Sequence, residues 1–225
     1  MDSRPGETFD CCSADAGWRA VAVTGSFAAG PPEKFMEAFL VSTGIVALAE
    51  MGDKTQLLAL VLAARLKKPL PIVAGIFAAT LVNHACAAAV GQWITLHLGA
   101  DAMRWILGVS FIAMAGWMLI PDKLDDDDAP KPARFGVFLT TAIAFFIVEM
   151  GDKTQIATVA LAAKYSSLVA VVAGTTAGMM LANAPVVWFG DKLTKLVPIK
   201  TVHIVCALIF LALGLAALFN LGSLL

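Results

Sequence analysis

The chain has 225 residues, 59% of them hydrophobic and only 15% charged, with a net charge of -1, a mean hydropathy of +0.82 and a pI near 6.3. Soluble domains carry about 25% charged residues, so this composition excludes an ordinary soluble fold and reads as an all-α polytopic membrane protein. It also excludes nucleic acid as a partner, since no run of Lys and Arg interleaved with aromatics provides a basic face.

In chain order, residues 1–34 form a mixed tail. Arg4, Pro5, Asp10, Asp15 and Arg19 precede a short apolar patch at 20–29, which is too short to span and too acidic upstream for a secretory leader. Six apolar stretches follow, at residues 35–66, 70–98, 102–120, 135–163, 168–190 and 199–221. Each is long enough to cross about 30 Å of hydrocarbon as a helix, and the first, second and fourth exceed the roughly 20 residues required. Between the third and fourth lies an acidic linker, 121–134, holding three prolines and the run Asp125, Asp126, Asp127, Asp128; it divides the chain into repeats at 35–120 and 135–225.

The two halves are copies. Glu50-Met51-Gly52-Asp53-Lys54-Thr55-Gln56 recurs as Glu149-Met150-Gly151-Asp152-Lys153-Thr154-Gln155, an offset of 99 residues. Ala74-Gly75 with Ala173-Gly174, Asn83 near Asn183, and Gly91 with Gly190 follow at nearly the same offset. Three spans per repeat is an odd number, so the second half is expected to enter the membrane in the opposite sense, as two inverted three-helix repeats. Arg65, Lys67, Lys68, Lys123, Lys131, Arg134, Lys192, Lys195 and Lys200 fall on one side, against Lys34, Arg104 and Lys164 on the other. The positive-inside rule therefore puts the acidic linker in the cytoplasm and both termini outside it.

Each motif copy lies in an apolar stretch, where one charge costs between about 3 and 15 kcal/mol. On a continuous helix Glu50 and Asp53 share a face, as do Glu149 and Asp152, so inverted symmetry would bring two carboxylate pairs together. With Thr55, Gln56, Thr154 and Gln155 they make a hard oxygen site suited to Ca²⁺, Mg²⁺ or Mn²⁺. No Cys or His joins the motif, which argues against zinc or copper. Gly52 and Gly151 permit the helix to loosen between the acidic residues. Four carboxylates against Lys54 and Lys153 leave two surplus negative charges, which one divalent cation or two protons would neutralise. Desolvated carboxylates hold protons more tightly, so the expected mechanism is alternating-access exchange of a divalent cation for protons.

The structural alternative is helical ion pairing of Glu50 with Lys54 and of Glu149 with Lys153, both at i, i+4; it leaves Asp53 and Asp152 unexplained. Asn83 and Asn183 are supporting candidates that equally suit interhelical hydrogen bonding. His84 has no evident repeat partner and is not taken as a ligand. Cys11, Cys12, Cys86 and Cys206 lack the spacing of a metal or redox site.

Two copies of Glu-x-Gly-Asp-Lys-Thr in a six-span repeat resemble the Gdt family of cation transporters, a likeness covering residues 35–225. The resemblance implies transport of Mn²⁺ or Ca²⁺ against protons, with no cofactor. It maps Glu50, Gly52, Asp53, Lys54 and Thr55 to the family's first motif and Glu149, Gly151, Asp152, Lys153 and Thr154 to its second. The compact length is more like bacterial members, for which export of excess Mn²⁺ across the inner membrane is implied. The competing functions are a lysine-type amino-acid exporter, in which the carboxylates hold a substrate ammonium, and an intramembrane aspartyl enzyme using Asp53 and Asp152.

Overall fold

A computed structural model of the chain describes residues 32–98, 100–120, 136–190 and 199–219. The tail before residue 32 and the acidic linker lie outside the described residues. Eight helices make up the described part: α1 Pro32–Glu50, α2 Lys54–Leu66, α3 Pro69–His97, α4 Ala100–Trp117, α5 Val137–Glu149, α6 Lys153–Lys164, α7 Leu168–Phe189 and α8 Ile199–Leu218. α1 opens on Pro32, whose missing N–H costs nothing at a first helical position, so helix begins three residues before the expected start at Phe35.

The first and fourth apolar stretches are each two helices, not one. Gly52 and Gly151 take φ of +82° and +80°, a left-handed region that costs a residue with a Cβ and does not continue a right-handed helix. The chain then turns tightly: the Asp53 N–H donates to the Glu50 carbonyl at 3.1 Å, and Asp152 does the same to Glu149 at 3.1 Å. Asp53 and Asp152 become N-caps with matching extended backbones, φ −77°, ψ 167° and φ −78°, ψ 167°. The break bends α2 by 71° from α1. The expectation that Glu50 and Asp53 share one face of a continuous helix is thereby corrected, because the helix ends on the first and restarts after the second.

Packing crosses between the halves. α7 lies against α1 and α2, α3 lies against α5, α6 and α7, and α4 pairs with α8. Small residues permit the closest approaches. A Cβ at Gly75 would sit 2.7 Å from the Phe138 carbonyl oxygen and 2.8 Å from Thr141 Cβ, while one at Gly174 would sit 2.5 Å from the Phe39 carbonyl oxygen and 2.9 Å from Ser42 Cβ. These two contacts are the same contact at the repeat offset with the halves exchanged, as a two-fold relation requires.

Glu50, Asp53, Glu149, Asp152 and Lys153 are inside, while many large apolar residues are outside: Leu96 is 82% exposed and Phe189 67%. Such an apolar exterior suits lipid rather than water. By length and composition α3, α7 and residues 200–218 of α8 can each cross a membrane, and the bent pair α1 and α2 makes a fourth candidate span.

Candidate ion site

The acidic residues on either side of both motif breaks are buried, and each break builds the same local frame. In the first, the Thr55 hydroxyl donates to Glu50 Oε2 and the Gly52 N–H donates to Gln56 Oε1 at 3.0 Å. In the second, Thr154 Oγ1 donates to Glu149 Oε1 at 2.5 Å and the Gly151 N–H donates to Gln155 Oε1 at 2.7 Å. Thr and Gln thus hold a motif that has left helical hydrogen bonding, giving its freed polar groups local partners. Gln56 also reaches across to donate from Nε2 to the Ala182 carbonyl at 3.1 Å.

The lysines pair across the halves. Lys153 Nζ lies 3.3 Å from Asp53 Oδ1 and Lys54 Nζ lies 3.1 Å from Asp152 Oδ1. The i, i+4 partners expected on sequence spacing, Glu50 with Lys54 and Glu149 with Lys153, are not among the ion pairs of the described residues. The glycine break removes the helical register on which that spacing rests. The two pairs differ in burial: the Lys153 and Asp53 side chains are 2% and 1% exposed, whereas Lys54 is 24% exposed beside a buried Asp152.

Convergence of the copies brings Glu50, Asp53 and Asp152 to one place. One carboxylate oxygen from each lies within 4.8 Å of the others, and all three residues are buried. Oxygens this close around a common centre match the ligand set of a hard divalent cation. Glu149, also buried, is not one of the three; Thr154 joins it to the cluster through a 3.5 Å contact with Asp152 Oδ2.

Of the two asparagines, Asn183 on α7 donates from Nδ2 to Glu50 Oε2 at 3.3 Å, whereas Asn83 on α3 donates to the Phe146 backbone carbonyl at 3.2 Å. The residue that reaches the second motif from α3 is His84, whose Nε2 lies 3.4 Å from Glu149 Oε1. His84 therefore has a repeat partner after all. At the strict offset of 99 it corresponds to Asn183, and the approximate pairing of Asn83 with Asn183 is one residue out of register. The motif's own offset, applied without slack, was the signal for this. A second histidine, His203 on α8, donates from Nε2 to the Met51 carbonyl at the first break, at 2.9 Å; nothing in the sequence pattern marks it.

Residues 38–126 and 137–223 match the family model described as "Divalent cation/proton antiporter GDT1". The chain belongs to the GDT1 family. A Vibrio cholerae protein named "Putative manganese exporter" is 49% identical over 190 residues, covering 84% of this chain and 94% of that protein. A GDT1-like protein of Synechocystis is 26% identical over 78% of this chain and 93% of its own length, and an Oryza sativa "GDT1-like protein 4" is 24% identical over 81% and 73%. No solved structure matches. GDT1 proteins are membrane cation transporters and not enzymes, so the intramembrane-hydrolase alternative falls. The amino-acid exporter falls with it, because the matching family model and the Vibrio relative are both described as cation transporters.

Proposed function

We propose that this GDT1 protein exports a divalent cation, Mn²⁺ before Ca²⁺, in exchange for protons, through a site built from Glu50, Asp53, Glu149 and Asp152. The observation that carries the reading is the crossing of the two motif copies, which gathers carboxylates of Glu50, Asp53 and Asp152 within 4.8 Å. Manganese is favoured over calcium by the name of the Vibrio relative; the oxygen-rich site suits either ion.

The buried cluster needs its charge balanced. Two lysines neutralise two of four carboxylates, and the remaining two negative charges equal one divalent cation or two protons. Because Lys153 and Lys54 occupy oxygens of Asp53 and Asp152, an arriving dication competes with tethered ammonium groups. Its binding is therefore an exchange of partners rather than the filling of bare charge, which lowers the desolvation cost that an uncompensated cluster would carry. Gly52 and Gly151 free the motif from the helix, and Thr55, Gln56, Thr154 and Gln155 hold its shape. Asn183 steadies Glu50, and Asn83 ties α3 to α5.

The reading includes six spans as two inverted repeats, with α1 and α2 forming one broken span, α5 and α6 another, and α4 completing the first half. The reciprocal contacts of Gly75 and Gly174 support a two-fold relation between the halves. The charge bias of the loops supports both termini outside the cytoplasm, in a bacterial inner membrane.

Purified protein in proteoliposomes tests this. Mn²⁺ flux is expected to rise when a pH gradient is imposed and to drive counterflow of protons, with Ca²⁺ a weaker substrate and Mg²⁺ weaker still. Flux indifferent to the gradient would overturn the exchange, and absence of divalent flux would overturn the transport reading.

A further inference from the structure

The two motif copies are identical in sequence, but the residues that reach their glutamates from α3 and α7 differ. Asn183 and His84 occupy equivalent places, on α7 and α3, and each addresses the motif glutamate of the opposite half. With Glu149 ionised its carboxylate only accepts, so in that state the 3.4 Å contact places the proton on His84 Nε2, donating to Glu149 Oε1. Nδ1 then carries a lone pair. It is buried without a hydrogen-bond partner among the described residues, in a residue that is 0% exposed. A neutral imidazole held through one nitrogen by a carboxylate, with the other nitrogen bare, is the usual arrangement of a metal-ligating histidine. Nothing else about this position calls for an imidazole, since the equivalent place in the other half is filled by an amide.

We propose that His84 is a specificity-determining ligand, offering Nδ1 to the transported cation at a station beside Glu149 and favouring a first-row transition-metal dication over an alkaline-earth one. The proposal rests on the transport reading above and deepens it. The oxygen cluster of Glu50, Asp53 and Asp152 suits Ca²⁺ as well as Mn²⁺, so by itself it separates them poorly. Imidazole is a softer donor than carboxylate and coordinates first-row transition dications, whereas Ca²⁺ takes oxygen ligands. His84 is not part of that cluster, so the cation meets oxygen and nitrogen donors in succession. Glu149 serves this station by holding the ring, which accounts for its place outside the cluster of the other three carboxylates.

The decisive variant is His84→Asn, because asparagine already occupies the equivalent position next to Glu50 and preserves a donor to the glutamate. Mn²⁺ bound to the purified full-length protein is examined by electron spin echo spectroscopy for nitrogen modulation, in the wild type and in Asp53→Asn, where the oxygen cluster is weakened. Modulation in either background that His84→Asn removes is expected, together with a fall of roughly tenfold in the Mn²⁺-to-Ca²⁺ flux ratio in vesicles. Because His203 also lies near a motif, modulation that survives His84→Asn would overturn the assignment, as would its absence from both backgrounds or an unchanged flux ratio. His84→Gln serves as the second variant if His84→Asn fails to fold. Wild-type vesicles that move no divalent cation would instead sink the transport reading, a different result from intact flux with unaltered selectivity.

Discussion

Replacing Lys153 with methionine removes an ammonium from 3.3 Å of Asp53 in a place where both side chains are almost wholly buried. At an effective dielectric of about 20, two unit charges at that distance attract by about 5 kcal/mol, and removing one member of a buried pair typically costs 3 to 5 kcal/mol. Lys153→Met is therefore expected to destabilise the protein by about 3 kcal/mol or more, a drop of roughly 6 °C or more in melting temperature for a chain of this size. Lys54→Met breaks the pseudo-equivalent pair, yet Lys54 is 24% exposed, and water reaching the vacated space screens the loss to about 1 kcal/mol, or roughly 2 to 4 °C. The double variant Asp53→Asn with Lys153→Met removes both charges and is expected to recover most of the lost stability without recovering transport. Thermal unfolding of purified protein in detergent, followed by size-exclusion recovery, measures all three. Equal losses for Lys153→Met and Lys54→Met, or a double variant no more stable than Lys153→Met alone, would refute the assignment of Lys153 and Asp53 as the buried pair.

Glu50→Gln and Glu149→Gln are each expected to lower Mn²⁺ flux in vesicles by roughly a hundredfold while leaving helical content by circular dichroism unchanged. Thr55→Val and Thr154→Val withdraw the hydroxyl that each buried glutamate accepts from, and a loss of about 1 to 3 kcal/mol in unfolding stability is expected; the serine variants should retain most of it. Gly75→Ala and Gly174→Ala drive a methyl into the backbone of α5 and α1, for an expected cost of about 1 to 3 kcal/mol each. Gly44→Ala meets nothing within 4 Å and should be neutral or slightly stabilising in the same melting assay.

The duplicated motif, its apolar setting and the class of ion it could hold were legible in the sequence, because repetition and misplaced charge are local, countable properties. The helix break was legible as a possibility: glycine between two acidic residues allows positive φ, and both copies adopt it. The length excess of the first and fourth stretches had the same origin, since each is a pair of helices joined at that break.

Partner choice was not legible. Spacing along one chain orders residues on a helix face, and that inference failed where Gly52 and Gly151 end the helix; Lys54 and Lys153 instead turn to the aspartates of the opposite half. His84 escapes a reading by spacing for a related reason, as the group it meets is Glu149, 65 residues away. Composition and periodicity by themselves determined that this chain is helical, lipid-facing and internally doubled. Which cation neutralises which anion was decided only when the two copies packed against each other, because a buried charge is stabilised by whatever lies within a few ångströms, and that distance is a property of the fold.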